Sequence, residues 1–238
     1  MTSIPLWRYA RNTIASTHHQ AFWNALDDAL TPEQKARIAP GGDLRGIWEA
    51  QAQEAAPAPA ERRHPNPLVV PYDFQGDNAG GEGYRECATS SCGMVAMYWG
   101  KVQDVNAYSK VRARFGDTTN ILAQVTALKS LGLDAQFVTT CDAALLMQEI
   151  DAGRPVPVGW LHKGPVTRPN GGGHWSVVIG YNPASFIHHD PNGEALLVPG
   201  GFSYGRTGER VPYSRQNWLR RWEADGPRTG WAVTVKPH

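Results

Sequence analysis

The segment from Glu86 to Gly100 most constrains how this chain can fold, because it predicts a helix with a cysteine in its first turn. Apolar and small residues recur there at helical spacing, and Gly100 supplies a C-terminal stop after about four turns. Cys87 then lies where unsatisfied backbone N–H groups and the positive end of the helix dipole favour a thiolate over a thiol. The sequence therefore predicts a half-buried helix with a candidate nucleophile at its mouth.

A candidate base follows far along the chain, directly after three consecutive glycines. The run 174–181 is rich in β-branched residues and predicts a strand that begins at His174. A second short strand, 186–190, ends at Asp190 ahead of a Pro-Asn-Gly turn and would pair with the first as a hairpin. Such a hairpin can place His174 beside Asp190. The chain then offers a nucleophile, a base and an orienting carboxylate in that order.

Each of these residues also has an ordinary structural interpretation. Cys87 could be a small buried residue, His174 a histidine packed at a strand end, and Asp190 the start of a turn. The glycines before His174 favour the catalytic interpretation, because they leave room for a substrate backbone. Gly172, Gly173 and Trp175 are therefore candidate substrate-binding residues.

At these residues the sequence resembles the papain-like cysteine peptidases of clan CA that process bacteriocin leaders at double-glycine sites, together with their soluble relatives. The resemblance spans about residue 69 to the C-terminus and lies in Glu86–Cys87, Met94, Tyr98–Gly100, His174–Trp175 and Asp190–Pro191. It implies a papain-like fold and a Cys87–His174–Asp190 triad. It also implies that the side chain of Gln75 and the backbone N–H of Cys87 form an oxyanion hole. A long glycine-rich segment between Gln75 and Cys87 departs from the family pattern.

Helical patterns come first along the chain and strand patterns mostly later, which predicts an α+β class. We expect a small helical N-terminal region (1–54), a proline-rich linker (55–67) and a papain-like peptidase domain (68–238). In that domain we expect helices at 105–115, 121–131 and 142–150 and one capped by Ser214, and strands at 68–70, 134–139, 156–161 and 231–235. Thr118 and Thr119 would start the second of these helices, and 199–213 would be a loop.

Composition excludes some partners and sites. The formal net charge of +1 and the lack of a long apolar run argue against nucleic acid and against stable membrane insertion. The first residues lack the apolar core of a signal peptide, so we expect synthesis in the cytoplasm. Three cysteines without zinc-ligand spacing indicate a reduced compartment.

No metal or cofactor is expected. Adjacent strand residues point to opposite faces, so His188 and His189 cannot easily share an ion. Asp77, Asn78 and Glu82 could hold calcium in a glycine-rich loop, but they lack the regular alternation of a calcium-binding loop.

A short helical region on a proline linker before a papain-like domain is similar to the lysins of bacteriophages. The predicted function is therefore a cysteine peptidase or amidase of the phage peptidoglycan-hydrolase type, an endolysin or virion-associated lysin that acts at the cell wall. Its substrate would be stem peptides, and its partners a holin or virion tail proteins. The glycine-rich rim and the aromatic residues Phe202 and Tyr204 suit a narrow peptide of small residues. The alternatives are a double-glycine leader peptidase, an acyl-transferring relative and a non-catalytic phage tail protein with a papain-like shell.

Overall fold

The computed structural model describes residues 31, 64–79, 82–203 and 205–238. Almost all of the predicted N-terminal region 1–54 lies outside these residues, and so does the linker up to residue 63. Tyr204, one of the two aromatic residues expected beside the substrate, is outside them as well. The architecture below is that of the described part of the chain.

The α+β class predicted from the sequence is confirmed. Within the described ranges the structure contains five α-helices and one six-stranded antiparallel sheet. The helices are α1 (Cys87–Tyr98), α2 (Val105–Arg112), α3 (Ile121–Ser130), α4 (Ala143–Asp151) and α5 (Arg215–Trp222). The strands are β1 (Leu133–Cys141), β2 (Val156–Trp160), β3 (His174–Tyr181), β4 (Ser185–His189), β5 (Val211–Ser214) and β6 (Gly230–Pro237), in the order β1-β6-β2-β3-β4-β5. Two short 3-10 helices, Gln75–Asp77 and Gly83–Arg85, precede α1. None of the described helices is long and apolar enough to cross a bilayer.

Helix α1 is the centre of the fold and is more buried than the sequence predicted. Residues 88–96 are all buried, because α1 packs against α2, α3 and β3 rather than exposing one face to water. Small residues allow this close approach. A Cβ on Gly93 would lie 2.9 Å from the side chain of Val105 in α2. Only the ends of α1 reach the surface, and Cys87 at its N-terminus remains partly exposed.

The start of α3 differs from the prediction. Asn120, not Thr118 or Thr119, caps the helix, because its side-chain oxygen accepts hydrogen bonds from the N–H groups of Leu122 and Ala123. Thr118 instead turns inward, where its hydroxyl lies 2.6 Å from that of Thr89 on α1. The threonine that resembled a cap therefore ties α3 to α1.

The segment 68–70 is not the strand that the sequence predicted. Strand β3 already pairs with β2 and β4 on its two edges, so no ladder position remains for a third neighbour. Instead the N–H of Leu68 donates to the carbonyl of Ile179, where the β3–β4 ladder is irregular. The carbonyl of Val70 accepts from the ring of His189. An extended segment is thus fixed by isolated hydrogen bonds.

Strand β5 was missed, since its residues fall in the stretch predicted as a loop or at its edge. It pairs with β4 at the edge of the sheet, where Pro212 is tolerated because an edge strand has one free side. It leads directly into α5, with Ser214 at the N-cap position as predicted but without a side-chain capping bond. This strand brings Tyr213 into the interior.

Candidate active site

The predicted nucleophile opens α1, and the predicted base opens β3. The sulfur of Cys87 lies close enough to the imidazole of His174 to raise the pKa of that imidazole, although 87 positions separate the two residues in the chain. Helix α1 packs against β3, and this packing brings the first residue of each element to the same place. A thiol and an imidazole in contact at a helix N-terminus is the arrangement needed to generate a thiolate.

The third residue of the set, Asp190, follows the last residue of β4. The β3–β4 register places Val178 opposite His188, so alternation puts His174 and Asp190 on the same face of the sheet. Nε2 of His174 lies 2.8 Å from Oδ1 of Asp190. Since Nε2 is occupied by the carboxylate, Nδ1 is the ring nitrogen available to the sulfur of Cys87.

The electrostatics of this buried row favour a charged imidazole. Burial by itself lowers the pKa of His174, but the charge of Asp190, its hydrogen bond and the Cys87 sulfur outweigh burial and raise the pKa to about 10. His174 is only 4% exposed and Asp190 is fully buried, so little water screens the pair. The site is therefore arranged to hold an imidazolium beside the sulfur of Cys87.

Asp190 is supported by a residue that sequence reasoning missed, Tyr213 on β5. The Tyr213 hydroxyl donates to Oδ2 of Asp190 at 2.8 Å and accepts from the N–H of Ala195 at 2.8 Å. The N–H of Asn192 donates to Oδ1 at 3.0 Å. With His174, the carboxylate thus has three donors, which compensate for the burial of its charge. The sequence carries no signal for Tyr213, because its strand was not predicted.

The backbone of Asp190 is also held closely. Its N–H donates to the carbonyl of Gly208, and its own carbonyl accepts from the hydroxyl of Tyr72 at 3.1 Å. A Cβ at position 208 would lie 1.9 Å from the carbonyl oxygen of Asp190, so only glycine fits there. The loop that contains Gly208 therefore fixes the direction of the Asp190 carboxylate.

Three rings enclose His174. Trp160 and Phe202 meet the imidazole edge to face, with ring centroids 5.2 and 4.9 Å away, and His162 lies 5.8 Å away. Phe202 was predicted to lie beside the substrate; it contacts the base itself. Burial, together with the positive charge of His174, lowers the pKa of His162 to about 4, so His162 is neutral. These rings keep water away from the imidazole.

Gln75, the predicted oxyanion-hole donor, is buried between the segment before Cys87 and the turn after Asp190. Its side-chain NH₂ donates to the carbonyl of Gly83 at 2.7 Å, and its backbone N–H donates to Pro191 at 2.8 Å. A side-chain amide has two N–H groups, so one is still available. The role of Gln75 in an oxyanion hole stays a prediction.

The predicted substrate-binding residues Gly172, Gly173 and Trp175 all line a cleft of about 360 Å³ beside His174. Its other walls come from β2, β6, the start of α3, and the end of α5 with the segment that follows it. The sequence predicted a glycine-rich rim that suits a narrow peptide of small residues, and this substrate preference stays a prediction. The tryptophans of the cleft lie far apart in the chain and meet only because their strands are neighbours.

The histidine pair and the candidate calcium loop have other partners. His188 bonds to Ser176, whereas His189 bonds to the carbonyl of Val70, on opposite faces of β4 as predicted. In the loop, Asp77 pairs with Arg206, Asn78 donates to Ser90 and Glu82 pairs with Arg85. In the described part of the chain, no group of three or more histidine, cysteine or acidic side chains could hold a metal ion.

Comparisons with known proteins show the family and the fold of this chain. The family described as Peptidase_C39 like matches residues 67–226. Among solved structures, a protein described as a C39-like peptidase from Bacillus anthracis has the same fold, with 16% identity, a TM-score of 0.51, and 71% of this chain and 96% of that chain covered. A search of curated proteins finds no match.

Two further solved structures align with lower TM-scores. The peptidase domain of Streptococcus ComA, a bifunctional ABC transporter of a quorum-sensing pathway, aligns with 19% identity and a TM-score of 0.45, covering 65% of this chain and 93% of that chain. A double-glycine-motif protease of an AMS/PCAT transporter, solved with its leader peptide, aligns with 19% identity and a TM-score of 0.46, covering 71% and 92%.

Proposed function

The chain belongs to the Peptidase_C39 like family and is a cysteine peptidase, and from this premise we propose that Cys87, His174 and Asp190 carry out its chemistry. The observation that carries the proposal is the buried hydrogen bond between the imidazole of His174 and the carboxylate of Asp190, with the sulfur of Cys87 beside the imidazole. Its order and its contacts are those that nucleophilic catalysis by a thiol requires.

In the first half of the proposed reaction, the sulfur of Cys87 attacks the carbonyl carbon of the scissile bond. The His174 imidazolium then gives its Nδ1 proton to the departing amine, so that the C–N bond breaks and a thioester remains. The free amide N–H of Gln75 and the backbone N–H of Cys87 would stabilise the oxyanion. One such donor is worth on the order of 3 kcal/mol.

In the second half, neutral His174 takes a proton from water, whose oxygen attacks the thioester carbon. The carboxylic acid leaves and the sulfur of Cys87 is regenerated beside the imidazolium. Asp190 keeps Nε2–H pointed at itself throughout, which holds Nδ1 toward the reacting atoms. Tyr213 acts through Asp190 and is a positioning residue.

Alkylation with iodoacetamide at neutral pH tests whether the thiol is activated. We expect Cys87 to react first, because burial raises the pKa of Cys92 to about 12 and of Cys141 to about 11. The rate at Cys87 should fall in His174→Ala, whose imidazole is gone. Equal rates at Cys87 in the native protein and in His174→Ala would contradict an activating contact.

The identity of the substrate is a more specific proposal than the chemistry. Peptidoglycan stem peptides, cut at the cell wall by a phage-type lysin with a holin or tail proteins as partners, are one candidate from the sequence. A leader peptide cut after a double glycine is the alternative, and membership of the family is equally consistent with it. Zymography on purified peptidoglycan, with Cys87→Ala as control, separates the two. Clearing that depends on Cys87 supports a lysin, whereas cleavage of a leader peptide without clearing supports leader processing. No activity of either kind would favour a non-catalytic papain-like shell.

A further inference from the structure

A second set of buried polar and aromatic side chains lies next to the three proposed catalytic residues, on the same face of the sheet. The β2–β3 register places Trp160 directly opposite His174, and alternate residues of a strand share a face. The other members lie on β3, β4 and β5, and none of these three is more than 2% exposed. We call the set the Ser176–His188 network; its four members are Trp160, Ser176, His188 and Tyr213.

Two hydrogen bonds hold this network together, and the chemistry of the groups fixes their direction. An indole N–H can only donate, so Oγ of Ser176 accepts from Nε1 of Trp160 at 2.9 Å. Oγ also lies 3.0 Å from Nδ1 of His188, and the described residues offer its hydroxyl proton no other acceptor. A proton on Nδ1 would leave that buried hydroxyl unpaired, so the ring proton of His188 lies on Nε2. Burial lowers the pKa of His188 and keeps the ring neutral.

The network reaches the catalytic residues at both of its ends. At one end, the indole of Trp160 meets the imidazole of His174 edge to face, with ring centroids 5.2 Å apart and ring planes at 89°. At the other end, the ring of Tyr213 lies 4.7 Å from that of His188, and its hydroxyl donates to Asp190 at 2.8 Å. The base and its carboxylate are thus joined directly by their own hydrogen bond and indirectly through the network.

The polar pair in the middle of the network is costly for a core that serves stability alone. Nε2 of His188 has no hydrogen-bond partner among the described residues, although the side chain is fully buried. An unpaired buried polar group costs free energy, and apolar residues of similar size would avoid that cost. Ser176 and His188 are therefore better explained by what they hold in place, which is the indole beside the base.

The orientation of this indole decides how the base is held. His174 is bonded to Asp190 through Nε2, and one hydrogen bond by itself does not fix the plane of the imidazole. An indole at a right angle to the imidazole blocks rotation about that bond. The indole itself cannot turn while its N–H donates to Ser176. Nδ1 of the base then stays directed at the sulfur of Cys87.

From these contacts, and on the premise of the peptidase chemistry proposed above, we propose that Ser176 and His188 are positioning residues for the reaction. Neutral His188 accepts from Ser176, Ser176 holds the indole of Trp160, and the indole fixes the plane of the catalytic imidazole. Both residues are fully buried, so they act on the chemical step through His174 and not on substrate binding.

Steady-state kinetics test this role on a quenched fluorescent peptide, selected from a degenerate library by cleavage with the native protein. Ser176→Ala removes both hydrogen bonds and should lower kcat about tenfold with KM nearly unchanged. His188→Leu removes the acceptor and should also lower kcat. His188→Asn keeps an acceptor oxygen near the position of Nδ1 and should recover most of the loss.

Val235→Ala is the control for lost stability, because it truncates a buried side chain of β6 outside the network and should keep the native kcat. Native kcat in both Ser176→Ala and His188→Leu overturns the positioning role. A fall of equal size in Val235→Ala overturns it as well, since the effect would then come from stability.

Alkylation of Cys87 by iodoacetamide separates failure of this role from failure of the peptidase proposal, because it needs no substrate. We expect Ser176→Ala to react about two- to tenfold more slowly than the native protein and Val235→Ala. Slower alkylation in a protein that cleaves no peptide supports the positioning role and overturns the peptidase function. Native alkylation and native kcat in the variants overturn the positioning role and leave the peptidase intact. The absence of both cleavage and any change in alkylation overturns both.

The hydrogen-bond directions are tested by NMR of the native protein with ¹⁵N-labelled histidine. His188 should give the signals of a neutral ring with its proton on Nε2 at neutral pH. A proton on Nδ1, or a charged ring, overturns the proposal, because Ser176 would then have no acceptor at His188.

Discussion

Asp190 is a fully buried carboxylate, and the properties of the site follow from how its charge is compensated. Removing a carboxylate from water is costly unless hydrogen bonds and an opposite charge replace the solvent. Tyr213, Asn192 and His174 supply these donors. In return, the carboxylate keeps His174 protonated in surroundings that would otherwise make it neutral.

Replacing Asp190 by Asn should shift the pH dependence of the reaction. Without the negative charge, burial lowers the pKa of His174 from about 10 toward or below its ordinary value of 6.5. The alkaline limit of kcat/KM, where the imidazolium is lost, should therefore move to lower pH by several units. A pH profile between about 5 and 11 with an unchanged alkaline limit would show that another group sets it.

Tyr213→Phe tests whether the tyrosine positions the carboxylate. A hydrogen bond to a charged group is worth about 1.5–3 kcal/mol. Its loss should lower kcat by between about tenfold and 100-fold, with little change in KM. Tyr98→Phe is the matched control, because its hydroxyl donates to the carbonyl of Gly153, outside the site. A kcat that falls equally in both variants would mean that Tyr213 acts only through stability.

At the scale of elements, the site depends on two segments in which the chain reverses direction. The β3–β4 hairpin sets His174 beside Asp190, and the loop that leads into β5 returns to cover the backbone of Asp190 through Gly208. Their hydrogen bonds to each other make the position of the carboxylate unique.

Gly208→Ala should disrupt this contact, because the new methyl group would overlap the carbonyl of Asp190. Overpacking of this kind costs about 1–3 kcal/mol of stability. A displaced carboxylate should also lower kcat, on the order of 100-fold for a shift of about 1 Å. Gly172→Ala, whose methyl group meets nothing within 4 Å, should keep its stability in denaturant titrations. Native kcat in Gly208→Ala would show that the loop can move aside.

At the scale of the whole molecule, the buried and half-buried histidines of the described residues divide into two kinds. His174 has a raised pKa and is charged, whereas burial lowers the pKa of His162, His188 and His189 and keeps them neutral. His188 is held under the site by the hydroxyl of Ser176, which also accepts from the indole of Trp160. Of these four histidines in the described part of the chain, folding therefore favours protonation of one and disfavours protonation of three.

The free energy of unfolding should fall on both sides of about pH 6.5. The contribution of His174 is full below 6.5 and is lost as the pH rises through about 10, because its pKa is raised on folding. The contribution of His162 is full above 6.5 and is lost as the pH falls through about 4, because its pKa is lowered.

Urea titrations followed by tryptophan fluorescence measure both limbs. His174→Gln should flatten the alkaline limb, and His162→Gln should flatten part of the acid limb. If the free energy of unfolding of each variant changes with pH as it does in the native protein, the assignment of these limbs to His174 and His162 is wrong.

What the sequence determined by itself is local. The α1 helix, the β3–β4 hairpin and the order of Cys87, His174 and Asp190 follow from helical spacing, β-branched runs and turn residues within short windows. Those signals are strong because each depends on neighbours in the chain. Contacts between distant segments were needed only to bring α1 and the β3–β4 hairpin together.

Tertiary structure alone decided the rest. The full burial of α1, the support of Asp190 by Tyr213 and Gly208, and the rings of Trp160 and Phe202 around His174 join residues far apart in the chain. The wide cleft of indoles likewise exists only because β2, β3 and β6 are neighbours in the sheet. No local pattern records such contacts, because packing and cross-strand register select them only when the whole core forms.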